Sequence, residues 1–301
     1  MNFGSPNCSL VATLPDDPLR FSKDSPVVEF PVNGGPSNPH MSLEFNGEVF
    51  VPDLGADKIW RLVNDGEPGK FRIQGQIDVA PGNGPRHIAI RDGILFTINE
   101  LTSTLTAQQI PQAPNGTALP LLANVSIVPD DVQVQSLNAS FFAAEILISE
   151  PSELFPDPLI YVSNRNLGPD FDPRGDSIAI FEFKNSSVAV TQSSSSSRRR
   201  RFHARHWFSR DHAEVVEEEL DAIPMNQIAG TLTLQAQVFT GLRQIRSMAF
   251  GRVADGGDEF LIAGANLDGG VAVFRRVDGG RNLTEVTRNT ELPNRTSFVF
   301  L

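Results

Sequence analysis

Cysteine and long apolar runs are almost absent from this 301-residue sequence, and each absence excludes a class of protein. Cys8 is the only cysteine, so an intrachain disulfide, a cysteine zinc site and a redox pair are all impossible. No stretch approaches the ~20 apolar residues of a membrane span, so no span is predicted. The first residues also lack the basic start and apolar core of a signal peptide.

Positive charge is in short supply as well. The chain has 25 lysines and arginines against 36 aspartates and glutamates, which gives a net charge of −11 and a sequence pI near 4.9. Such a chain is unsuited to general binding of nucleic acids or anionic membranes. We therefore predict no nucleic-acid partner, and any anionic ligand must be held by a local cluster of arginines.

Acceptor sites for N-glycosylation, in contrast, are frequent. Seven Asn-x-Ser/Thr sequons occur, where chance pairing would give roughly two or three. N-glycans are predicted at Asn115, Asn124, Asn138, Asn282 and Asn294. The excess of sequons favours a secreted or extracellular protein, whereas the missing signal peptide favours a cytoplasmic one. The two observations agree if the natural N-terminus precedes Met1.

The stretch from Gly84 to Leu101 has the pattern of a β-hairpin with charged ends. Two alternating apolar segments flank an Asp92-Gly93 pair, which is typical of a tight turn. Antiparallel pairing places the start of the first strand beside the end of the second. Arg86 therefore shares an edge with Glu100, either in a structural ion pair or in a functional site.

The same strand-turn-strand pattern recurs along the chain. The second strands align as Val-Phe-Val-Pro-Asp, Leu-Phe-Thr-Ile-Asn, Ile-Tyr-Val-Ser-Asn and Leu-Ile-Ala-Gly-Ala-Asn, at residues 49–53, 95–99, 160–164 and 261–266. A four-stranded unit of roughly 45 residues is typical of a β-propeller blade. We predict an all-β chain that forms a single β-propeller domain over residues 1–301, with about four full blades and fragments of a fifth.

Two segments fall outside this pattern. Residues 1–25 have no periodicity and are predicted to be an irregular start. Residues 185–230 contain five consecutive serines, a basic run and an acidic run, and they bury too little apolar area to offset their ordering entropy. We predict that they are a disordered insertion within a blade. The histidines of this segment lack the spacing and acidic partner of a helical zinc site, so no metal is predicted.

Short motifs with polar or charged ends accompany the repeats. They are Asn38-Pro39-His40, Val51-Pro52-Asp53-Leu54-Gly55-Ala56-Asp57-Lys58-Ile59, Gly84-Pro85-Arg86-His87, Asn99-Glu100-Leu101, Ala144-Glu145-Ile146, Tyr161-Val162-Ser163-Asn164-Arg165 and Arg246-Ser247-Met248-Ala249-Phe250. Together they resemble the seven-bladed lactonase family, which includes bacterial 6-phosphogluconolactonase-like proteins and fungal 3-carboxy-cis,cis-muconate lactonising enzymes. The resemblance covers residues 36–300 without the insertion.

The resemblance implies an active site at one mouth of the propeller. The family's candidate catalytic groups fall here on His40, Arg86, Glu100 and Arg165, and the substrate-binding candidates are Arg246 and His87. The arginines would hold a carboxylate or phosphate and stabilise the oxyanion of an attacked lactone. His40 or Glu100 would serve as acid and base, and the chemistry requires no metal or cofactor.

The chain also departs from the family pattern. The doubled Pro-His-x-His motif is reduced to Asn38-Pro39-His40, and Ile245 replaces the usual proline before Arg246. The repeats begin at what would be the second or third blade, so the first blades are expected to be missing.

Three functions fit such a site. The first is metal-independent hydrolysis of a carboxylated or phosphorylated sugar-acid-type lactone. The second is lactonising cycloisomerisation of a muconate, in which the same groups deliver a proton as a carboxylate adds to an alkene. The third is a non-catalytic propeller that binds a protein or a glycan. For the enzymes, the predicted partner is a small anionic lactone or muconate.

The compartment has its own test. Expression in a glycosylating host is expected to yield a protein whose mass falls on enzymatic deglycosylation, because sequons are modified during export. Intact-mass spectrometry before and after the treatment measures the change. An unchanged mass would argue for a cytosolic protein.

Overall fold

The computed structural model describes residues 1–23, 26–32, 35–114, 120–132, 140–187, 228–292 and 294–298. By its internal contacts the chain divides into one unit of Met1–Lys184 with Gly230–Leu301 and a second unit of Asn185–Ala229. The predicted disordered insertion at 185–230 lies outside the described residues except at its two ends.

β-Strands account for nearly all regular structure in the described residues. The first ten are β1 (Asn7–Ser9), β2 (Thr13–Leu14), β3 (Asp17–Phe21), β4 (Val27–Glu29), β5 (Leu43–Phe45), β6 (Glu48–Asp53), β7 (Lys58–Asn64), β8 (Phe71–Asp78), β9 (Pro85–Arg91) and β10 (Ile94–Asn99). The others are β11 (Thr104–Gln109), β12 (Ala123–Ser126), β13 (Ser140–Ile148), β14 (Ile160–Leu167), β15 (Ser177–Ser187), β16 (Ile228–Phe239), β17 (Arg243–Phe250), β18 (Phe260–Asp268), β19 (Val271–Val277) and β20 (Asn282–Asn289). Short 3₁₀ turns lie at Val253–Asp255, Gly257–Glu259 and Asp278–Gly280.

Four antiparallel sheets of four strands follow one another along the chain, and we number them as blades. Blade 1 contains β5–β8, blade 2 β9–β12, blade 3 β13–β16 and blade 4 β17–β20. The first strands of neighbouring blades contact each other, β5 with β9, β9 with β13 and β13 with β17. The first strand of each blade is therefore the inner one, as in a propeller. The prediction of an all-β propeller with about four to five blades is confirmed.

The repeat pattern does not predict the fourth strand of blade 3. This strand, β16, begins at the end of the 185–230 segment, and its residues from Thr231 to Val238 alternate between polar and apolar types. The alternation is typical of an outer strand. The low-complexity segment before it separates the strand from its blade and hides its place in the repeat.

Apolar side chains on both faces of the middle strands hold neighbouring blades together. In β10, Leu95 packs against blade 1 and Phe96 against blade 3; in β14, Val162 packs against blade 2 and Tyr161 against blade 4. All four side chains are buried. Successive residues of a strand point to opposite faces, so an uninterrupted apolar strand can serve two interfaces at once.

The N-terminal residues cover the face of blade 1 that points away from blade 2. β1 pairs with β4, and Cys8, Val28 and Phe30 pack against Val51 and Trp60 of blade 1. Cys8 is a buried free thiol. The structure thus differs from the predicted irregular start at residues 1–25. The strands β1, β2 and β3 have only 3, 2 and 5 residues, too few for their alternation to stand out in the sequence.

In blades 1 to 3, the residue just before the third strand forms hydrogen bonds with the backbone at the start of the next blade. In blade 1 this is Asp57, whose carboxylate accepts hydrogen bonds from the N–H groups of Gly82 at 2.7 Å and Gly84 at 2.8 Å. In blade 2 it is Ser103, whose hydroxyl donates to the carbonyl oxygen of Phe141 at 2.7 Å. These bonds set where the inner strand of the following blade begins.

In blade 3 the linking residue is Asp176, which is buried. Its carboxylate accepts hydrogen bonds from the N–H groups of Asn166 at 2.9 Å and Ile245 at 2.7 Å, and so joins β14 to the inner strand of blade 4. Burial raises the pKa of this carboxyl to about 6, although the hydrogen bonds favour its ionised form. The protonation state of Asp176 therefore affects the contact between two blades.

Replacing Asp176 by Asn is expected to flatten the pH dependence of stability. The pKa of Asp176 is higher in the folded chain than in an unfolded one, so its protonated form is favoured by folding, and this stabilisation is lost as pH rises through about 6. Between pH 4 and pH 7.5, the unfolding free energy of the wild type should decline relative to that of Asp176→Asn by roughly 2.5 kcal/mol.

Urea unfolding at the two pH values measures the difference. Asp255→Asn, a change at an exposed aspartate, serves as the control and should follow the wild type. Parallel pH profiles for wild type and Asp176→Asn would contradict the role given to this carboxyl.

In the described residues, no helix has the length and apolar character needed to cross a membrane. Two of the predicted glycan sites, Asn124 and Asn294, are exposed, and Asn282 is half-buried. Asn115 and Asn138 lie outside the described residues.

Candidate functional site

Three inner strands, β9, β13 and β17, each carry one extra residue relative to the second strand that they pair with. In β9 this residue is Arg86 and in β17 it is Arg246, whereas in β13 both Ala144 and Glu145 lie opposite Ser163 of the partner strand. A β-bulge of this kind bends the strand and re-aims its side chains. Because the bulges lie at the same place in three successive blades, they bring their side chains to the same mouth of the propeller.

Two further charged residues reach this mouth from the second strands. Glu100 directly follows β10, and Arg165 lies near the end of β14. Antiparallel pairing places these ends beside the bulged starts of β9 and β13. Each blade therefore contributes polar groups from two of its strands.

Glu100 bridges two buried guanidinium groups from neighbouring blades. Its Oε2 lies 2.8 Å from Nε of Arg86, and its Oε1 lies 2.9 Å from Nη2 of Arg165. The two arginine side chains are each 3% exposed and that of Glu100 is 19% exposed. Nη2 of Arg165 also donates to the carbonyl of Ala143 at 3.1 Å, and Arg86 donates to the carbonyl of Ala144. Each guanidinium is thus held from two sides.

The site has more positive than negative charge. Burial and the charge of Arg165 together lower the pKa of Arg86 to about 10, although Glu100 opposes the change. The pKa of Arg246 is lowered by burial and by Arg165, again against Glu100. Nε of Arg246 is buried and has no hydrogen-bond partner in the described part of the chain.

His40 is placed by the loop that precedes blade 1. The carboxylate of Asp53 accepts hydrogen bonds from the N–H of Asn38 at 2.6 Å and from the indole N–H of Trp60 at 3.0 Å, and the N–H of His40 donates to the carbonyl of Pro52 at 2.9 Å. These bonds fix the loop against β6. His40 therefore reaches the mouth from the position where the bulged residues lie in the other blades.

His40 is neutral over the physiological range. Burial lowers its pKa to about 2, and the nearby charges of Arg86, His87 and Arg165 act in the same direction. The edge of the Phe3 ring packs against the imidazole with 5.2 Å between ring centroids.

His87 connects His40 to a second carboxylate. Its Nε2 lies 3.2 Å from Nδ1 of His40, and its Nδ1 lies 2.7 Å from Oε1 of Glu145. The side chains of His87 and Glu145 are 15% and 14% exposed. A carboxylate, two imidazoles and their hydrogen bonds therefore run across the mouth from blade 3 to blade 1.

The structure brings all six predicted site residues together. Five are connected by direct contacts, Glu100 with Arg86 and Arg165 and His40 with His87, and Arg246 lies within electrostatic reach of Arg165 and Glu100. Their catalytic and binding roles stay predictions.

Sequence reasoning did not place Glu145 in the site. The Ala144-Glu145-Ile146 motif marks the position, but its link to His87 depends on a contact between residues 58 positions apart. Among the described residues, no group of three or more histidine, cysteine, aspartate or glutamate side chains is arranged to hold a metal ion.

Replacing Glu100 by Gln is expected to destabilise the chain. The change leaves two buried guanidiniums without their shared counter-charge, a loss that costs roughly 3 kcal/mol or more. Thermal unfolding followed by circular dichroism measures the effect. Glu150→Gln, which removes a carboxylate that is 75% exposed, is the matched control and should leave the melting temperature nearly unchanged. Equal melting temperatures for Glu100→Gln and the control would show that the bridge contributes little.

No curated protein matches the chain. Among solved structures, it is similar to a protein from Lactobacillus plantarum, with 17% identity and a TM-score of 0.65, and to a putative 6-phosphogluconolactonase from Bacteroides fragilis, with 18% identity and a TM-score of 0.62. In both cases the match covers 98% of this chain and 68% of the other.

The periplasmic gluconolactonase of Pseudomonas aeruginosa is similar at 16% identity and a TM-score of 0.58, over 96% of this chain and 64% of that one. At such identities these likenesses establish the fold. A family model described as Lactonase, 7-bladed beta-propeller matches residues 32–206, more than half of the sequence. The chain therefore belongs to the seven-bladed β-propeller lactonase family.

Proposed function

We propose that the site hydrolyses a lactone that carries a carboxylate or phosphate, of the sugar-acid type. The observation that carries this proposal is the unbalanced charge of the mouth. Both oxygens of Glu100 already pair with Arg86 and Arg165, and among the described residues Arg246 has no carboxylate within ion-pair distance. An anionic group on the substrate would supply the missing counter-charge through charge-assisted hydrogen bonds.

The same arginines suit the transition state of lactone hydrolysis. Attack of water on the lactone carbonyl carbon places a negative charge on the carbonyl oxygen. Arg86 and Arg165 are held rigid by Glu100 and by backbone carbonyls, so they stabilise this charge without having to reorganise. We assign them to the oxyanion and Arg246 to the anionic group of the substrate.

Of the two predicted acid-base candidates, His40 fits better than Glu100. Both carboxylate oxygens of Glu100 are engaged with guanidiniums, which orients it as a counter-ion. The imidazole of His40 is neutral, so it has a lone pair that can take a proton from water. We therefore propose His40 as the base that activates water and as the acid that protonates the leaving alkoxide.

Membership of a lactonase family supports hydrolysis over the two alternatives. Neither the family description nor the names of the similar proteins of known structure include a muconate lactonising enzyme. Cycloisomerisation of a muconate and non-catalytic binding of a protein or glycan are therefore treated as outcomes of the test below.

The purified chain is expected to turn over 6-phosphogluconolactone, and Arg246→Gln is expected to raise KM for it by roughly 10- to 100-fold, the effect of losing one charged hydrogen bond. KM for the uncharged glucono-δ-lactone should change much less, because that substrate has no anion for Arg246 to bind. Initial rates measured by proton release give both constants.

Arg252→Gln in the same blade removes an arginine that is 56% exposed and should leave both KM values unchanged. A wild-type chain that turns over no lactone but converts a carboxymuconate would favour the isomerase. A chain inactive on both would favour the binding propeller. Equal KM changes for the charged and uncharged lactones in Arg246→Gln would remove Arg246 from the anion site.

A further inference from the structure

Glu145, His87 and His40 form an unbroken row of hydrogen-bonding groups from three blades. The carboxylate of Glu145 lies 2.7 Å from Nδ1 of His87, and Nε2 of His87 lies 3.2 Å from Nδ1 of His40. Neither the hairpin pattern nor the family likeness assigns a role to Glu145. The row ends at Nε2 of His40, the one ring nitrogen of the pair that contacts neither the other histidine nor Glu145.

The carboxylate of Glu145 determines which ring nitrogens of this row donate hydrogen bonds and which accept them. An ionised carboxylate only accepts hydrogen bonds, so Nδ1 of His87 must carry a hydrogen. In neutral His87 the other nitrogen, Nε2, then accepts. Two donors lie near it, Nδ1 of His40 at 3.2 Å and the guanidinium of Arg86 at 3.4 Å, and we assign the closer one, Nδ1 of His40, as the donor. Nε2 of His40 is left with a free lone pair. Glu145 thus selects, through His87, the tautomer in which His40 can act as a base.

The bulge in β13 holds Glu145 in place. Its N–H donates to Oγ of Ser163 at 3.0 Å, and its Oε1 accepts a hydrogen bond from the N–H of Ile146 at 3.1 Å. The carboxylate is therefore fixed from its own strand before it meets His87. Such support keeps a hydrogen-bonded row in one geometry.

We propose that Glu145 and His87 are positioning residues that relay a proton to and from His40. The proposal rests on the lactonase function given above and assigns the acid-base step of that reaction to a row of three residues. His87 acts through His40 rather than on the substrate.

The charges around the row explain why a relay is needed. His40 faces Arg86, Arg165 and His87, and its pKa of about 2 reflects how poorly a positive charge is tolerated there. His87 also approaches Arg86, with 3.4 Å between its Nε2 and a guanidinium nitrogen, but unlike His40 it contacts a carboxylate directly. His87 therefore has a carboxylate 2.7 Å from its ring, which His40 lacks.

In the proposed step, water attacks the lactone carbonyl carbon and gives a proton to Nε2 of His40. The hydrogen on Nδ1 of His40 moves to Nε2 of His87, so that the positive charge rests beside ionised Glu145. The tetrahedral intermediate then collapses and the ring C–O bond breaks. The leaving alkoxide takes the proton from Nε2 of His40, and His87 returns its proton to Nδ1 of His40. The product is a hydroxy acid, whose carboxyl proton goes to solvent.

The first test observes the tautomers without substrate. Nitrogen-15 NMR of the chain with labelled histidine, assigned with His40→Gln and His87→Gln, is expected to show both rings as the Nδ1–H tautomer near pH 7.5. In Glu145→Leu, which keeps bulk but removes the acceptor, both rings should lose this fixed tautomer. Glu150→Leu is the matched control on the exposed end of the same segment. A wild-type His87 in the Nε2–H tautomer would overturn the relay.

The second test is kinetic. Glu145→Gln is expected to lower kcat by roughly 10²-fold and to move the acid limb of the kcat/KM profile to lower pH, because the protonated row loses its negative partner. Glu145→Asp should recover part of the rate. A structural role for Glu145 would lower the rate without moving the limb, and that result would overturn the proposal.

The two failures are distinguishable. A wild type that hydrolyses lactones while Glu145→Gln keeps its full rate and profile leaves the proposed function standing and removes the relay. A wild type that hydrolyses no lactone overturns the proposed function and the relay as part of catalysis together, and the tautomers would then describe a structural hydrogen-bonded row.

Discussion

The bridge formed by Glu100 is the interaction on which the arrangement of the mouth depends. Two guanidiniums that are each 3% exposed lie on neighbouring blades, and their mutual repulsion would separate them without a shared counter-ion. One carboxylate joins them at 2.8 and 2.9 Å. Because both oxygens of this carboxylate pair with Arg86 and Arg165, Arg246 has no carboxylate within ion-pair distance among the described residues. The bridge thus joins two blades, and the further arginine, Arg246, leaves the mouth with more positive than negative charge.

The bulges explain how a repeated strand pattern brings charged side chains together at one mouth of the propeller. An ideal strand of a blade sends alternate residues into the two interfaces with the neighbouring blades, as Leu95 and Phe96 do in β10, the second strand of blade 2. In β9 and β17 this alternation is interrupted by one extra residue, Arg86 and Arg246 respectively. In β13, Ala144 and Glu145 lie together opposite one residue of the partner strand. The blade can then place charged groups at the mouth without placing them in its apolar interfaces.

Much of the fold was predictable because its signals are local. Alternation over a few residues and turns such as Asp92-Gly93 define blades 1, 2 and 4, and four strands of each blade pair in sequence order. The pattern failed where the signal was short or interrupted, in β1 to β3 and in β16. The site residues other than Glu145 were recognised by their motifs. Glu145 has no local feature that separates it from an ordinary strand carboxylate.

The sequence by itself determined the repeated strands of blades 1, 2 and 4 and the charged residue types at their ends, since these depend on neighbours a few positions apart. Only the tertiary structure decided which of those groups touch. His40 and His87 are 47 positions apart and His87 and Glu145 are 58 apart, so their contacts depend on how successive blades pack and where each inner strand bulges. The tertiary structure also decided that His40 is neutral, because the burial of its ring among positive charges arises only when the blades are assembled.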